Sequence, residues 1–207
     1  MAKRLSRSDI NDISDLIQRM AGMSENHDPS IKGHMARVSG YVTTLALGYG
    51  LLMADVEMTS LASQLHDIGK IGLPESLRTA RGKLSDADLE LNKKHTRMGA
   101  DLLKESKNPV IQIGAAICLS HHERWDGSGY PQGLRGEQIP LSARMTGLAD
   151  VFDALTTPRP YKSEIALPEA RRLIVEASGE LFEPKLVEIF DEQFGEFQNI
   201  YLSQRPK

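Results

Sequence analysis

The spacing of the apolar residues constrains the fold of this chain more than any other feature. They recur at three- and four-residue steps, which places them on one face of a helix. The first such run contains Ile10, Ile13, Leu16, Ile17 and Met20. The spacing predicts helices over residues 8–22, 32–52, 55–69, from 85 onward, 109–122, 141–155, 168–177 and 184–197. No segment alternates apolar and polar residues as a half-buried strand does, so the sequence predicts an all-α bundle.

One segment breaks this helical pattern. Residues 127–140 contain four glycines and two prolines, which leave no room for a helix and indicate a long Gly/Pro-rich functional loop. A chain of 207 residues is long enough for one ordinary domain with its own core. We therefore predict a lead-in helix within residues 1–28 and a single helical domain over residues 29–207.

Charge and cysteine content exclude several classes of protein. Lys and Arg number 25 against 28 for Asp and Glu, a net charge of -3, whereas a protein that binds a nucleic-acid polymer carries a basic excess. An anionic ligand must therefore be held by a few local charges or by metal ions. The single cysteine, Cys118, excludes an intramolecular disulfide and a cysteine zinc cluster. No apolar stretch is long enough to span a bilayer and no signal core follows the N-terminus, so we predict a cytoplasmic protein without a membrane span.

Histidine and carboxylate remain as the supply of metal ligands. Five of the six histidines lie at predicted helix ends or inner faces, one of them directly before an aspartate. Imidazole together with carboxylate suits Zn, Mn, Fe or Ni, and a pair of ions needs at least six protein ligands. A single histidine on an apolar helix face is more often a hydrogen-bonded core residue than a ligand. His121 and His122 are different, because two adjacent imidazoles at the end of an apolar helix incur a desolvation cost unless something binds them.

Three motifs taken together resemble the HD-GYP domain, a bacterial branch of the HD phosphohydrolase superfamily. They are HDIGK at residues 66–70, HHERWDGSGYP at 121–131, and DVFDAL at 150–155 followed by RPYK at 159–162. The resemblance extends from about residue 28 to residue 190. It implies an HD-domain helical bundle and a metal-dependent phosphodiesterase that hydrolyses the second messenger cyclic di-GMP to pGpG, and in some members onward to GMP.

The resemblance also implies a role for each matching residue. The metal ligands would be His34, His66, Asp67, His95, His121, His122 and Asp150. Asp67 would bridge two divalent transition-metal ions and orient the nucleophile, and Lys70 would face the scissile phosphate. Tyr130 would lie beside the substrate, while Arg159 and Lys162 would hold phosphate or guanine. The ions would be Fe or Mn, with Ni or Zn as alternatives set by supply.

One position departs from the family pattern. Members with a third metal ion carry a glutamate four residues before the first histidine ligand, and this chain has Ser30 there. A serine hydroxyl is a poor substitute for a carboxylate ligand, so we predict two ions and not three.

Three functional hypotheses follow from the motifs. The first is an active cyclic di-GMP phosphodiesterase. The second is a catalytically weak receptor for cyclic di-GMP, or a module that binds a protein such as a diguanylate cyclase, although a full ligand set argues against it. The third is a phosphodiesterase for another cyclic dinucleotide. The lead-in helix is a homodimer contact, a signalling helix linked to an upstream receiver or sensor domain, or, most simply, a helix that packs on its own domain.

Overall fold

The protein folds as a bundle of helices joined by short turns and one long loop. The computed structural model describes residues 12–20, 33–80, 82, 84–157 and 164–204. No β-strand occurs within these ranges, which confirms the all-α prediction. Helix α1 covers residues 12–20 of the described chain. The others are α2 His34–Tyr49, α3 Met53–Ser63, α4 Glu75–Arg78, α5 Asp86–Lys93, α6 His95–Leu103, α7 Pro109–Ser120, α8 Leu141–Thr156, α9 Leu167–Glu176, α10 Pro184–Glu192 and α11 Phe194–Ser203, with 3-10 turns at Ile68–Gly72 and Gly136–Gln138.

The larger of two hydrophobic cores lies between α2, α8 and the three C-terminal helices. Its centre is aromatic: the Tyr41 and Phe197 rings stack with centroids 4.8 Å apart, and Phe152 meets both rings edge-on. Phe190 and Phe194 extend the same cluster. Edge-to-face and stacked arrangements are the favourable geometries for such rings. This core fixes α8 against α2, and both helices carry predicted ligands.

The smaller core joins α1, α3, α6 and α7. Ile17 is fully buried in it, together with Leu65 and Ile117, and Ile13 and Met20 pack against its edge. Helix α1 therefore packs on its own domain, which is the simplest of the three roles that the sequence allowed. Among the described residues, no helix combines the length and apolarity that crossing a membrane requires.

The helix boundaries follow the local chemistry in some places and tertiary packing in others. Ser85 caps α5 by accepting a hydrogen bond from the Asp88 amide at 3.2 Å. Two predicted boundaries are wrong. The helix predicted over 55–69 ends at Ser63, and the one predicted over 184–197 divides into α10 and α11. The first early end places His66 and Asp67 in a turn and not on a helix.

Candidate metal centre

The structure brings all seven predicted ligands together in two adjoining groups. His34, His66 and Asp150 form one group, and Asp67, His95, His121 and His122 form the other. Within each group the donor atoms lie within 4.8 Å of one another. The residues come from five parts of the chain: the first residues of α2 and α6, the turn after α3, the end of α7, and α8. Among the described residues, these are the groups of histidine and carboxylate donors that could hold an ion.

Two glycines allow these parts of the chain to approach closely. An added Cβ at Gly69 would lie 2.0 Å from the carbonyl oxygen of His95. At Gly147 it would lie 2.6 Å from the carbonyl oxygen of His121. Gly69 thus lets the 3-10 turn after Asp67 touch α6, and Gly147 lets α8 touch the end of α7. Any larger residue would push the ligand-bearing segments apart.

Hydrogen bonds orient three of the imidazoles toward the centre. The Nδ1 atoms of His66, His95 and His121 lie 2.9, 2.6 and 3.0 Å from the carbonyl oxygens of Ser63, Asn92 and Ile117 respectively. A carbonyl oxygen only accepts a hydrogen bond, so each Nδ1 carries the proton. In the neutral form of each ring, Nε2 therefore keeps its lone pair and faces the centre, which is the arrangement that a metal-binding histidine requires.

Several donor atoms at the centre have no partner. Asp67 Oδ1, His95 Nε2 and His121 Nε2 are buried and make no hydrogen bond within the described structure. Oδ1 of Asp67 lies 3.3 Å from His95 Nε2 and 3.9 Å from His121 Nε2. Buried polar atoms without partners are costly and rare. A cation among these three atoms would satisfy all of them, so the residues fit a metal ion.

The group of His34, His66 and Asp150 also fits a metal ion. The Nε2 atoms of His34 and His66 are 3.3 Å apart, and Asp150 Oδ1 lies 3.5 and 3.8 Å from them. Two lone pairs at this distance repel unless a proton or a metal ion lies between them. Two nitrogen ligands each about 2.1 Å from a shared ion lie about 3.0 to 3.4 Å apart for octahedral to tetrahedral angles. The observed separation therefore fits an ion shared by the two histidines.

Asp67 lies between the two groups. Its Oδ1 faces His95 and His121, while its Oδ2 lies 3.4 Å from His66 Nε2 and accepts a hydrogen bond from the Lys70 ammonium. Burial raises the pKa of this carboxyl group, but the positive charges of Lys70 and His66 outweigh burial and hold the pKa well below its usual range. Asp67 is therefore a carboxylate with one oxygen directed at each group.

The imidazoles differ in their affinity for protons. Burial, reinforced by the neighbouring His66, lowers the pKa of His121 to about 3. Burial also lowers the pKa values of His95 and His122. His66 is the exception: burial lowers its pKa, but the carboxylates of Asp67 and Asp150 outweigh this and raise it to about 9. The imidazoles of His95, His121 and His122 are thus neutral near pH 7, whereas His66 binds a proton and carries the positive charge in the ion-free centre.

The Gly/Pro-rich loop covers one side of the centre. The Tyr130 ring stacks on the His122 ring with centroids 4.8 Å apart and an angle of 23°. Glu123 anchors the loop, because its two carboxylate oxygens accept hydrogen bonds from the backbone amides of Gln132 and Leu134 at 2.7 and 3.0 Å. Glu123 therefore binds loop amides and not the centre.

The remaining sequence predictions have different outcomes. Lys70 contacts Asp67 at the edge of the centre, with 39% of its side chain exposed. Arg159, Lys162 and Ser30 lie outside the described residues, so their predicted roles stay predictions. Arg37, which is fully buried and pairs with Asp153, was not predicted from the sequence. The available signal was a charged residue one turn after His34, on the helix face that carries Val38 and Tyr41.

Comparisons with known proteins identify the family. The model of the HD domain matches residues 18–186. A 3'3'-cGAMP-specific phosphodiesterase 2 of Vibrio cholerae is 39% identical over 183 residues, which are 88% of this chain and 35% of that protein. A cyclic di-GMP phosphodiesterase of Thermotoga maritima is 38% identical over 92% of this chain and 52% of its own length. The cyclic di-GMP phosphodiesterase response regulator RpfG of Xanthomonas campestris pv. campestris is 41% identical over 84% of this chain and 46% of its own length.

Solved structures show the same fold at lower sequence identity. Bd1817, a HDG"Y"P protein from Bdellovibrio bacteriovorus, matches with a TM-score of 0.66 at 22% identity, over 91% of this chain and 64% of that one. The HD domain of the phosphodiesterase PgpH from L. monocytogenes matches with a TM-score of 0.61 at 15% identity, over 89% of this chain and 96% of that one. The chain spans about half or less of the length of the three curated relatives above. It belongs to the HD-domain family, and its resemblance to the HD-GYP branch is confirmed.

Proposed function

We propose that the chain is a metal-dependent phosphodiesterase that hydrolyses cyclic di-GMP to pGpG. The observation that carries this proposal is the pair of adjoining donor groups, with Asp67 between them and unpaired Nε2 atoms directed inward. Relatives named as cyclic di-GMP phosphodiesterases, 38% and 41% identical to this chain, support the choice of substrate. The loop that carries Tyr130 beside the centre supports a bound dinucleotide.

His34, His66 and Asp150 would hold one divalent ion, and His95, His121 and His122 the other, with Asp67 bridging. Bound ions supply a Lewis acid for the phosphoryl oxygens and lower the pKa of a water molecule. The protein itself positions the ligands. The helix ends and turns that carry the imidazoles and carboxylates fix the positions of the donors.

The other residues would orient the substrate and balance charge. Lys70, held on Asp67, would present its ammonium group to the phosphate and stabilise the charge that develops on its oxygens. Asp67 would orient the water that attacks phosphorus, and cleavage of the P–O3′ bond would leave pGpG with a free 3′ hydroxyl. The Tyr130 ring would border the base, and Arg159 and Lys162 would contact phosphate or guanine.

Two ions are proposed and not three. Seven nitrogen and oxygen ligands are enough for a bridged pair, and the serine at position 30 supplies no carboxylate. We propose Fe or Mn as the resident metals, as the resemblance to the HD-GYP domain implies, with Ni or Zn as alternatives that imidazole and carboxylate ligands also suit. Elemental analysis of protein purified without oxygen would return about two metal equivalents per chain, whereas three at full occupancy would contradict the proposal.

Turnover assays test the function. Protein loaded anaerobically with Fe or Mn is incubated with cyclic di-GMP, and the products are separated by chromatography. We expect pGpG, followed by GMP if hydrolysis continues, and the absence of both products under both metals would contradict the proposal. The variant Asp67→Asn removes charge from the bridging position and should abolish turnover. Asp101→Asn, an exposed carboxylate that pairs with Lys104 on the protein surface, is the matched control and should leave turnover unchanged.

A second substrate is favoured by one specific observation. The relative from Vibrio cholerae that is 39% identical over 88% of this chain is named for 3'3'-cGAMP. The two dinucleotides differ in one base, which the shared metal chemistry does not distinguish. The assay therefore includes 3'3'-cGAMP at the same concentration. Faster cleavage of cyclic di-GMP supports the first proposal, and faster cleavage of 3'3'-cGAMP replaces it with the second.

A further inference from the structure

A fully buried arginine lies directly behind the metal centre. Arg37 is in α2, one turn after His34, and none of its surface is exposed. Its guanidinium forms a two-pronged contact with Asp153, with Nε 2.6 Å from Oδ1 and Nη2 3.0 Å from Oδ2. Further hydrogen bonds reach Thr157 Oγ1 and the Gln204 carbonyl oxygen, both at 3.1 Å. The arginine thus connects α2, the end of α8 and the end of α11.

Asp153 transmits this contact to a predicted ligand. Its Oδ2 lies 2.8 Å from His34 Nδ1, and a carboxylate oxygen accepts the hydrogen bond. The proton of His34 is therefore on Nδ1, and Nε2 faces His66 and Asp150. His66, His95 and His121 are oriented by backbone carbonyls instead. Within the described part of the chain, the two donor groups therefore differ: one contains a histidine oriented by a buried ion pair.

We propose that Arg37 is a positioning residue that fixes His34 through Asp153 and so sets the affinity of the ion bound by His34, His66 and Asp150. The inference rests on the metal centre of the proposed function. Arg37 touches neither the ion nor the substrate. The other ion, held by His95, His121 and His122, does not depend on Arg37.

The reason for an arginine at this position is electrostatic. Asp153 is 1% exposed, and a buried carboxylate without a partner is strongly unfavourable. Without the guanidinium, the carboxylate would bind a proton or turn away, and either change would release His34 Nδ1. The planar fork of an arginine holds both carboxylate oxygens at once, which a lysine ammonium does not do.

Metal titrations of the wild type, Arg37→Met and Arg37→Lys test the proposal. We expect two binding events in the wild type. In Arg37→Met, one ion should bind about 10- to 100-fold more weakly, the usual effect of losing a group that orients a ligand, and the other should change little. Arg37→Lys should fall between the two. Equal affinities for both ions in Arg37→Met and the wild type would overturn the proposal.

The control variant removes a comparable ion pair elsewhere. Arg144 forms a buried pair with Glu183, with 11% and 7% of the side chains exposed, and its other hydrogen bond reaches the Ile139 carbonyl. Arg144→Met should lower stability without changing either ion affinity. A matching loss of one ion in this control would also overturn the proposal, because the effect would then be general destabilisation.

A double variant assigns the weakened ion to its group. If Arg37 acts on the ion through Asp153 and His34, the effects of Arg37→Met and His34→Ala on ion affinity should not add, since residues in one hydrogen-bond network are non-additive. The effects of Arg37→Met and His95→Ala should add. Additivity with His34 would contradict the assignment.

A spectroscopic test does not depend on metal or on the folding of Arg37→Met. Asp153→Ala removes the carboxylate oxygen that accepts the hydrogen bond from His34 Nδ1, so the ring is no longer confined to the Nδ1–H tautomer. Two-bond ¹⁵N–¹H correlation spectra of folded, metal-free protein should show His34 protonated at Nδ1 in the wild type and a mixture of the Nδ1 and Nε2 tautomers in the variant. An unchanged tautomer would overturn the proposal. Wild-type protein that binds two ions but cleaves no dinucleotide would instead refute only the proposed function.

Discussion

Replacing Gly69 by alanine tests whether close backbone packing builds the metal centre. The added Cβ would lie 2.0 Å from His95 O and 2.4 Å from Gly99 N. Both are backbone atoms, so no side chain can rotate away. Ordinary contact begins at 3.4 Å, so the 3-10 turn and α6 must separate by about 1.4 Å. This movement carries His66 and Asp67 away from His95.

Two measurements follow from this displacement. Overpacking of a filled contact costs about 1–3 kcal/mol, so the midpoint of urea unfolding should fall without a change in its slope. A displacement of about 1 Å at a reacting centre can lower turnover by about 100-fold, so cyclic di-GMP hydrolysis should fall by that order. Metal content per chain, measured on the same sample, should also decrease.

Gly195→Ala is the matched control for this substitution. Gly195 lies in α11, and an added Cβ would meet no atom within 4 Å. Alanine at such a helical position stabilises a protein by about 0.4–1 kcal/mol, and metal content should not change. The reasoning is refuted if Gly69→Ala retains wild-type unfolding free energy, metal content and turnover, since the backbone contact would then have no influence on the centre.

Three further predictions concern the loop, the cysteine and the larger core. Glu123→Gln places an amide donor against the Gln132 or Leu134 N–H, so we expect a loss of about 1.5–3 kcal/mol and faster proteolysis within the loop; unchanged protection would contradict this. Cys118 is fully buried, and burial raises the pKa of its thiol, so it should resist a thiol reagent at pH 8 until urea unfolds the chain. Phe152→Ala should cost about 3–5 kcal/mol in urea unfolding, and a loss below about 1 kcal/mol would contradict its central place in the aromatic cluster.

The sequence predicts those parts of the fold that depend on local chemistry. Apolar spacing predicts most helices, and Ser85 and Pro109 mark two of the helix starts. The division between α10 and α11 at Gln193 was not predictable from spacing, because no proline lies there. Phe194 and Phe197 are both buried in the aromatic cluster, and the chain turns so that both reach it. Tertiary packing, not propensity, therefore sets this boundary.

The same distinction applies to the candidate site. Five of the seven ligand candidates (His66, Asp67, His121, His122 and Asp150) lie in the motifs that resemble the HD-GYP domain, and the resemblance of the rest of the chain implies His34 and His95. Arg37 was missed because its partners lie 116 and 167 positions away in sequence. A buried ion pair of that separation leaves no local pattern other than a charge on an apolar helix face. Gly147 was missed for a similar reason, because the end of α7, which its backbone contacts closely, lies in another part of the sequence.

The acidic net charge of the chain and its proposed anionic substrate are compatible only through the centre itself. Asp67 and Asp150 are negative, and the pKa values of His95, His121 and His122 are lowered, so within the described part of the ion-free centre the positive charges are those of Lys70 and His66. Two divalent ions would more than offset the two carboxylates and make the centre positive. Metal loading would therefore strengthen the attraction of the centre for an anionic substrate.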